Sequence, residues 1–161
     1  IVCCPRDCLE TYYKFNTSHT NAGGYAASLM PANLEKEANK FSSKLQGYMT
    51  TIRRLENNKG TWAWAPRRIF LPGIVELCGS NGWADAWSGG AFNQLQLFTG
   101  GNAHILKGAG FNKKKAGRVT FWTADPSAAS ATYFCYFDRD GYSTGYGAAY
   151  DLALAPLIVL S

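Results

Sequence analysis

The sequence predicts an α+β domain rich in strands and irregular loops. Three observations carry that prediction. Aromatic residues make up 14% of the chain and glycines number 17, while charged residues reach only 17%, below the ~25% usual for soluble domains. Apolar positions from Leu34 onward recur at helical spacing, and Val119–Thr123 and Tyr133–Phe137 alternate as strands do. Many rings, many turn formers and few charges fit a mostly helical bundle poorly. At 161 residues, one core holds the chain and two packed domains are not expected, so residues 1–161 read as a single domain.

Residues 1–15 mix apolar and aromatic positions (Ile1, Val2, Leu9, Tyr12, Tyr13, Phe15) and read as an opening strand with a turn at Pro5. Asn16 to Gly24 is a polar, glycine-ended loop leading into a helix. Leu34, Ala38, Phe41, Leu45, Tyr48 or Met49, and Ile52 then follow at steps of three and four, a stripe facing a core. Ser42-Ser43 and Gly47 are where this stripe splits into two helices, with Ser42 or Ser43 capping the second. Residues 56–68 read as an exposed loop with a Trp-Ala-Trp element. Next come a short strand at Arg68–Leu71, a proline turn and one or two helical turns stopped by Gly79. Residues 80–112, rich in Gly, Asn and Trp without period, are loop-like, and a loop of that length is normally functional. The strand Tyr133–Phe137 is closed by the turn Asp138-Arg-Asp-Gly141, a run of tyrosines among small residues follows, and Leu154–Leu160 closes the core with Pro156 at its edge.

The formal charge of +5 hides an asymmetry: residues 1–118 carry +8 and residues 119–161 carry −3. Nucleic-acid binders place phosphate-neutralising charge on the same surface as their stacking rings. Here five of nine tyrosines lie between Tyr133 and Tyr150, inside the acidic part, so no nucleic-acid partner is expected. The basic run Lys113–Lys115 with Arg118 reads as a solvated turn, with contact to an acidic partner or a neighbouring subunit as its second reading. No apolar run approaches the ~18 residues of a membrane helix, so no membrane insertion is expected. The chain opens at Ile1 with neither an initiator Met nor a signal peptide, and reads as a processed product or a piece of a longer polypeptide. Cys3, Cys4, Cys8, Cys78 and Cys135 are an odd number with no CxxC pair and only His19 and His104 beside them. Thiols behaving as small apolar side chains are a better reading than structural zinc.

Gly23-Gly24-Tyr25 before an amphipathic helix, Ile69-Phe-Leu-Pro-Gly-Ile-Val-Glu-Leu-Cys-Gly79, Phe121-Trp-Thr-Ala-Asp-Pro126, Phe134-Cys-Tyr-Phe-Asp-Arg-Asp-Gly141 and Ala155-Pro-Leu-Ile-Val159 occur in that order. This pattern resembles a family of bacterial and phage domains of C-type lectin-like fold, in the branch of formylglycine-generating-enzyme-like proteins and the variable proteins of diversity-generating retroelements. The resemblance spans Tyr13 to the end. It implies a small twisted antiparallel sheet flanked by two helices, pairing of the first and last strands, and a long irregular insertion presenting a ligand face. The calcium-ligating motifs of calcium lectins are absent, and Asp138 to Gly141 reads as a hairpin turn rather than a cation loop. A formylglycine-generating oxidase would need copper on two thiols, and Cys78 and Cys135, set among apolar neighbours, read as core residues instead. Glu76, after a proline turn, reads as a local cap or ion-pair partner.

Enzymatic chemistry finds no support, because neither His19 nor His104 has a local nucleophile or acid partner. Tyr142, Tyr146 and Tyr150 recur every four residues among Ser, Thr, Gly and Ala, the composition of antibody paratopes, where tyrosine offers large amphipathic area at low rotamer cost. Each tyrosine taken singly reads nearly as well as a cover over the core. As a segment they read as a binding face made of Tyr133, Tyr136, Asp138, Arg139, Tyr142, Ser143, Tyr146 and Tyr150, with Trp87; of Trp83 and Trp87, one is expected in the core. The expected function is a ligand- or receptor-binding domain on a phage particle or bacterial surface, meeting a protein or glycan receptor, with no cofactor. The resemblance adds retroelement diversification of Tyr142–Asp151. The alternatives are a virion or assembly component whose surfaces pack on other subunits, and the oxidase.

Overall fold

The computed structural model describes residues 1–5, 8–80, 82–84, 95, 119–138 and 141–161. These form a mixed α+β domain, mostly sheet with a few short helices. The elements are β1 (Val2–Cys3), α1 (Gly24–Ala27), α2 (Met30–Ala38), α3 (Ser43–Tyr48), β2 (Ile52–Asn57), β3 (Trp62–Arg67), β4 (Ile69–Phe70), α4 (Ile74–Cys78), β5 (Phe121–Pro126), β6 (Tyr133–Phe137), β7 (Ser143–Gly147), β8 (Ala153–Leu154) and β9 (Leu157–Val159). Among the described residues the strands form three small sheets, ordered β1-β9-β4, β2-β3 and β7-β6-β5-β8. First and last strands do pair, Val2 opposite Val159 and Cys3 opposite Ile158. The arrangement is not one antiparallel sheet, since β8 runs parallel to β5.

Helix α2 starts earlier than the apolar spacing suggests, because Pro31 sits in its first turn, where a missing N–H leaves nothing unpaired. Met30, Leu34 and Ala38 are its buried face. The second half of the expected stripe does not hold. Ser42 caps α3 as anticipated, its hydroxyl accepting the Leu45 N–H at 3.3 Å. The break re-aims the chain, however, so that α3 buries no residue and Ile52 opens β2 instead.

Residues 56–68, expected as an exposed loop, are instead the end of β2, a tight turn and β3. Lys59 and Gly60 both adopt positive φ, 61° and 79°, the geometry that matches the twist of a hairpin. Asn57 Oδ1 fixes the turn by accepting from the N–H groups of Lys59 and Gly60 at 3.0 and 3.3 Å. Helix α1 lies against this turn so closely that a Cβ on Gly24 (φ +60°) would stand 2.3 Å from Asn58 Cα. Only glycine satisfies both the backbone angle and the space.

Strand β5 is buried along its length and β6 at Phe134, Cys135 and Phe137, and alternation sends their side chains into two clusters. On one side Phe134 stacks on Phe15 at 3.7 Å, and Trp122 meets Phe15 edge-on at 5.1 Å, with Tyr25, Met30, Leu34, Ile69 and Leu154 around them. On the other side Phe121 and Phe137 join Ile74, Leu77, Cys8 and Cys135. Cys8 and Cys135 are buried, and Cys3, Cys4 and Cys78 are half-buried.

One ion pair fastens the small hairpin to this core and a second holds its two strands together. Arg54 on β2 grips Glu76 on α4 through two bonds of 2.7 and 2.8 Å and lies 4.1 Å over the Phe70 ring. Glu76 Oε2 also accepts the Gly73 N–H at 2.7 Å, so the carboxylate is both cap and ion-pair partner, with a partner 22 residues away. Burial opposes the Arg54 charge, but the adjoining Glu76 more than compensates and the guanidinium holds its proton more firmly than in water. Arg67 pairs with buried Glu56 at 2.7 and 2.9 Å. The start of α4 is tied to β5 by Asp125 Oδ2, which accepts the Ile74 N–H at 2.6 Å.

Removing one member of a buried bidentate pair strands the other. Arg54→Ala and Glu76→Ala should each lower stability by about 3 kcal/mol in urea unfolding, whereas Arg54→Met with Glu76→Leu should recover most of it. A second expectation concerns Tyr13, whose hydroxyl donates to Glu37 on α2. Burial, with Glu37 beside it, pushes this phenol up to about 12. The folded state therefore keeps a proton that the unfolded chain loses near pH 10, so stability falls as pH rises from ~10 to ~12. Tyr13→Phe should flatten that decline in chemical denaturation followed across this window.

Candidate ligand-binding face

Strands β6 and β7 form a regular hairpin with Tyr133 opposite Gly147, Phe134 opposite Tyr146, Tyr136 opposite Thr144 and Phe137 opposite Ser143. Asp138 sets the turn: its N–H donates to Tyr142 O at 2.9 Å, its Oδ1 accepts the Tyr142 N–H at 2.9 Å, and its carbonyl accepts from Gly141 (φ 85°) at 3.1 Å. The carboxylate is thus engaged in turn formation, as Asx side chains commonly are.

Alternation divides the predicted site residues between the two faces of this hairpin. Tyr136 and Tyr146 stand together above Trp122, their rings 5.7 Å apart in a T and each about 6.3 to 6.4 Å from the indole. Beyond β7 the Tyr150 N–H donates to Gly147 O at 3.0 Å, and this reverse turn brings the Tyr150 ring back onto Tyr146, stacked at 4.4 Å and 24°. Tyr133 and Ser143 lie on the opposite face. A Cβ on Gly145 would come within 3.2 Å of the Tyr133 ring, and one on Gly82 within 2.5 Å of Ser143 Oγ. Tyr142 projects from the turn and is 70% exposed. Arg139 and Trp87 lie outside the described residues, as does most of the expected 80–112 loop; Trp83 is exposed. Of the described positions, Tyr136, Tyr146 and Tyr150 are gathered on one face, while Tyr133 and Ser143 lie on the other.

A fourth ring completes this group. His19 lies 4.8 Å from Tyr150, and its Nδ1 accepts the Ala149 N–H at 3.4 Å. The loop carrying it is pinned by Asn21, whose Nδ2 donates to the carbonyls of Ser130 and Tyr133 at 2.7 Å each. His19 and Tyr150 are 131 residues apart, so no local spacing could have joined them. Burial, with Asp138 and Tyr146 nearby, raises the Tyr136 phenol above its ordinary value, leaving a neutral donor at the base of the group. These residues present ring edges and faces, phenol hydroxyls and an imidazole. Among the described residues no three His, Cys, Asp or Glu side chains are placed to hold a metal ion, and no helix is long and apolar enough to cross a membrane.

No family model matches the chain, and no curated protein or solved structure matches it significantly.

Gly147 leaves the space His19 occupies, since a Cβ there would fall 2.5 Å from Nδ1. Gly147→Ala should swing the imidazole off Tyr150, read as a change in the ring-current shift of His19 Hε1, with a stability loss under ~1 kcal/mol because the displaced group is a movable side chain at the surface.

Proposed function

We propose that this chain is a non-enzymatic ligand- or receptor-binding domain of C-type lectin-like fold, displayed on a phage particle or bacterial surface. Its contact face is the cluster of Tyr136, Tyr146, Tyr150 and His19, with Tyr142 at the margin. One observation carries the reading: Tyr146 and Tyr150 are stacked on each other yet remain 39% and 48% exposed. Rings already held by their neighbours lose little rotamer freedom when a ligand arrives, so more of the contact energy appears as affinity. The lectin-like reading draws support from the pairing of β1 with β9 and from the strand, proline turn and helix formed by residues 69–78. Location on a particle or cell surface, and diversification of Tyr142–Asp151, rest on the resemblance.

The test is a screen of the intact chain against arrayed bacterial-surface glycans and displayed linear peptides. A ligand found there should bind at least ~10-fold more weakly to Tyr146→Ala and Tyr150→Ala, about 1.4 kcal/mol, with the melting temperature lowered by only a few degrees. Variants that melt earlier but bind unchanged would show that the tyrosines are structural cover.

A further inference from the structure

We infer that the ligand of this face is an extended, low-charge polypeptide segment that adds to the sheet as a new strand along β7. The inference rests on the aromatic face proposed above and names the chemistry of its partner. Among the described residues, strand β7 is the outer strand of the β7-β6-β5-β8 sheet. The bonds that bracket it, Asp138 N–H to Tyr142 O and Ala148 N–H to Thr132 O, place residues 142, 144, 146 and 148 in the positions bonded to β6. In an antiparallel ladder the intervening residues then direct their backbone groups away from the partner. The outward set is the N–H and C=O of Ser143 and Gly145, both half-buried; Gly147 is buried and its carbonyl accepts from Tyr150.

Outer strands of sheets are ordinarily blunted by charge, proline, bulges or shortness. Every other sheet edge among the described residues is. Strand β3 carries Pro66 and β2 carries Arg53, Arg54 and Glu56, while β1, β4 and β8 are two residues long and precede Pro5, Pro72 and Pro156. Strand β7, Ser-Thr-Gly-Tyr-Gly, has no charge, no proline and an unbroken register with β6 over all five of its residues. Its donors repeat every second residue, about 6.8 Å apart, which is the spacing of a polypeptide backbone and not that of a sugar ring. Strand addition supplies affinity through main-chain bonds and selectivity through alternate side chains. Here those side chains would fall beside the Tyr146 and Tyr150 rings on one face and beside Gly145 and Tyr133 on the other. The absence of charge along β7 favours a partner strand equally poor in charge.

The probe is a displayed library of short linear peptides selected on the intact chain. In the complex with a selected peptide, amide exchange at Ser143 and Gly145 should slow at least ~10-fold relative to the free protein, a measurement that needs no variant. Joining synthetic residues 135–161 at Cys135 allows Gly145→N-methylglycine, which removes one outward donor, adds no Cβ and should weaken binding at least ~10-fold. A library without binders, or a complex in which those amides exchange as before, overturns the inference. If Tyr146→Ala and Tyr150→Ala abolish binding while the exchange rates stay unchanged, the aromatic face stands and strand addition does not. If neither changes, both readings fall. Protection of the same amides on concentration alone, with dimers in sedimentation, would assign the edge to a second copy and likewise overturn it.

Discussion

The two bonds between Arg54 and Glu76 are the constraint on which the arrangement of the small elements depends. The buried positions of β2 are Leu55, Glu56 and Asn57, two of them polar. Docking of the hairpin therefore draws on charge as well as apolar burial. Glu76 holds β2 through Arg54 and holds the backbone before α4 through Gly73, while Asp125 holds the start of the same helix from β5. Hairpin, helix and central sheet are thus linked through carboxylates with their bonds satisfied, which is the condition under which buried charge is tolerated.

That anchoring fixes β5 and β6 in place, and with them what the next strand out can be. Trp122 and Phe134 fill the space beneath β7, so β7 needs only one large side chain, Tyr146, to finish that layer. Its other positions are Ser, Thr and Gly. Small residues let Tyr133 lie over Gly145 and let His19 enter beside Gly147. The half-exposed aromatic group is therefore a product of packing: a completed core below, a thin edge strand above it, and two loops that bring Tyr150 onto Tyr146 and His19 onto Tyr150.

Much of this was legible in the sequence because the signals were local. Tyr133–Phe137 alternated cleanly and is β6 to the residue, and Gly79 stops α4 at φ 77° as a C-terminal glycine should. The hairpin of β2 and β3 was hidden because Pro66 and two alanines dilute its alternation, and because its turn uses Lys59 at positive φ, which few lysines adopt. The apolar stripe failed past Ser42 because a periodic pattern carries no information on where a cap redirects the chain. Of the candidate site, composition located the tyrosines. It did not tell which face each would take, since that follows from the register of β7 on β6, nor that His19 would complete the group.

The meeting of the two ends of the chain has a consequence for how such a unit is carried. The Ile1 ammonium donates to Leu160 O at 2.8 Å, one pair beyond Val2 and Val159. Entry and exit are therefore a single point on the surface. Spliced into a loop of another protein, the domain would ask its host to close almost no gap, so the entropic cost of insertion is small. The same geometry makes circular permutation feasible: bridging the ends would leave the terminal ladder intact and allow the break to be placed in another exposed turn.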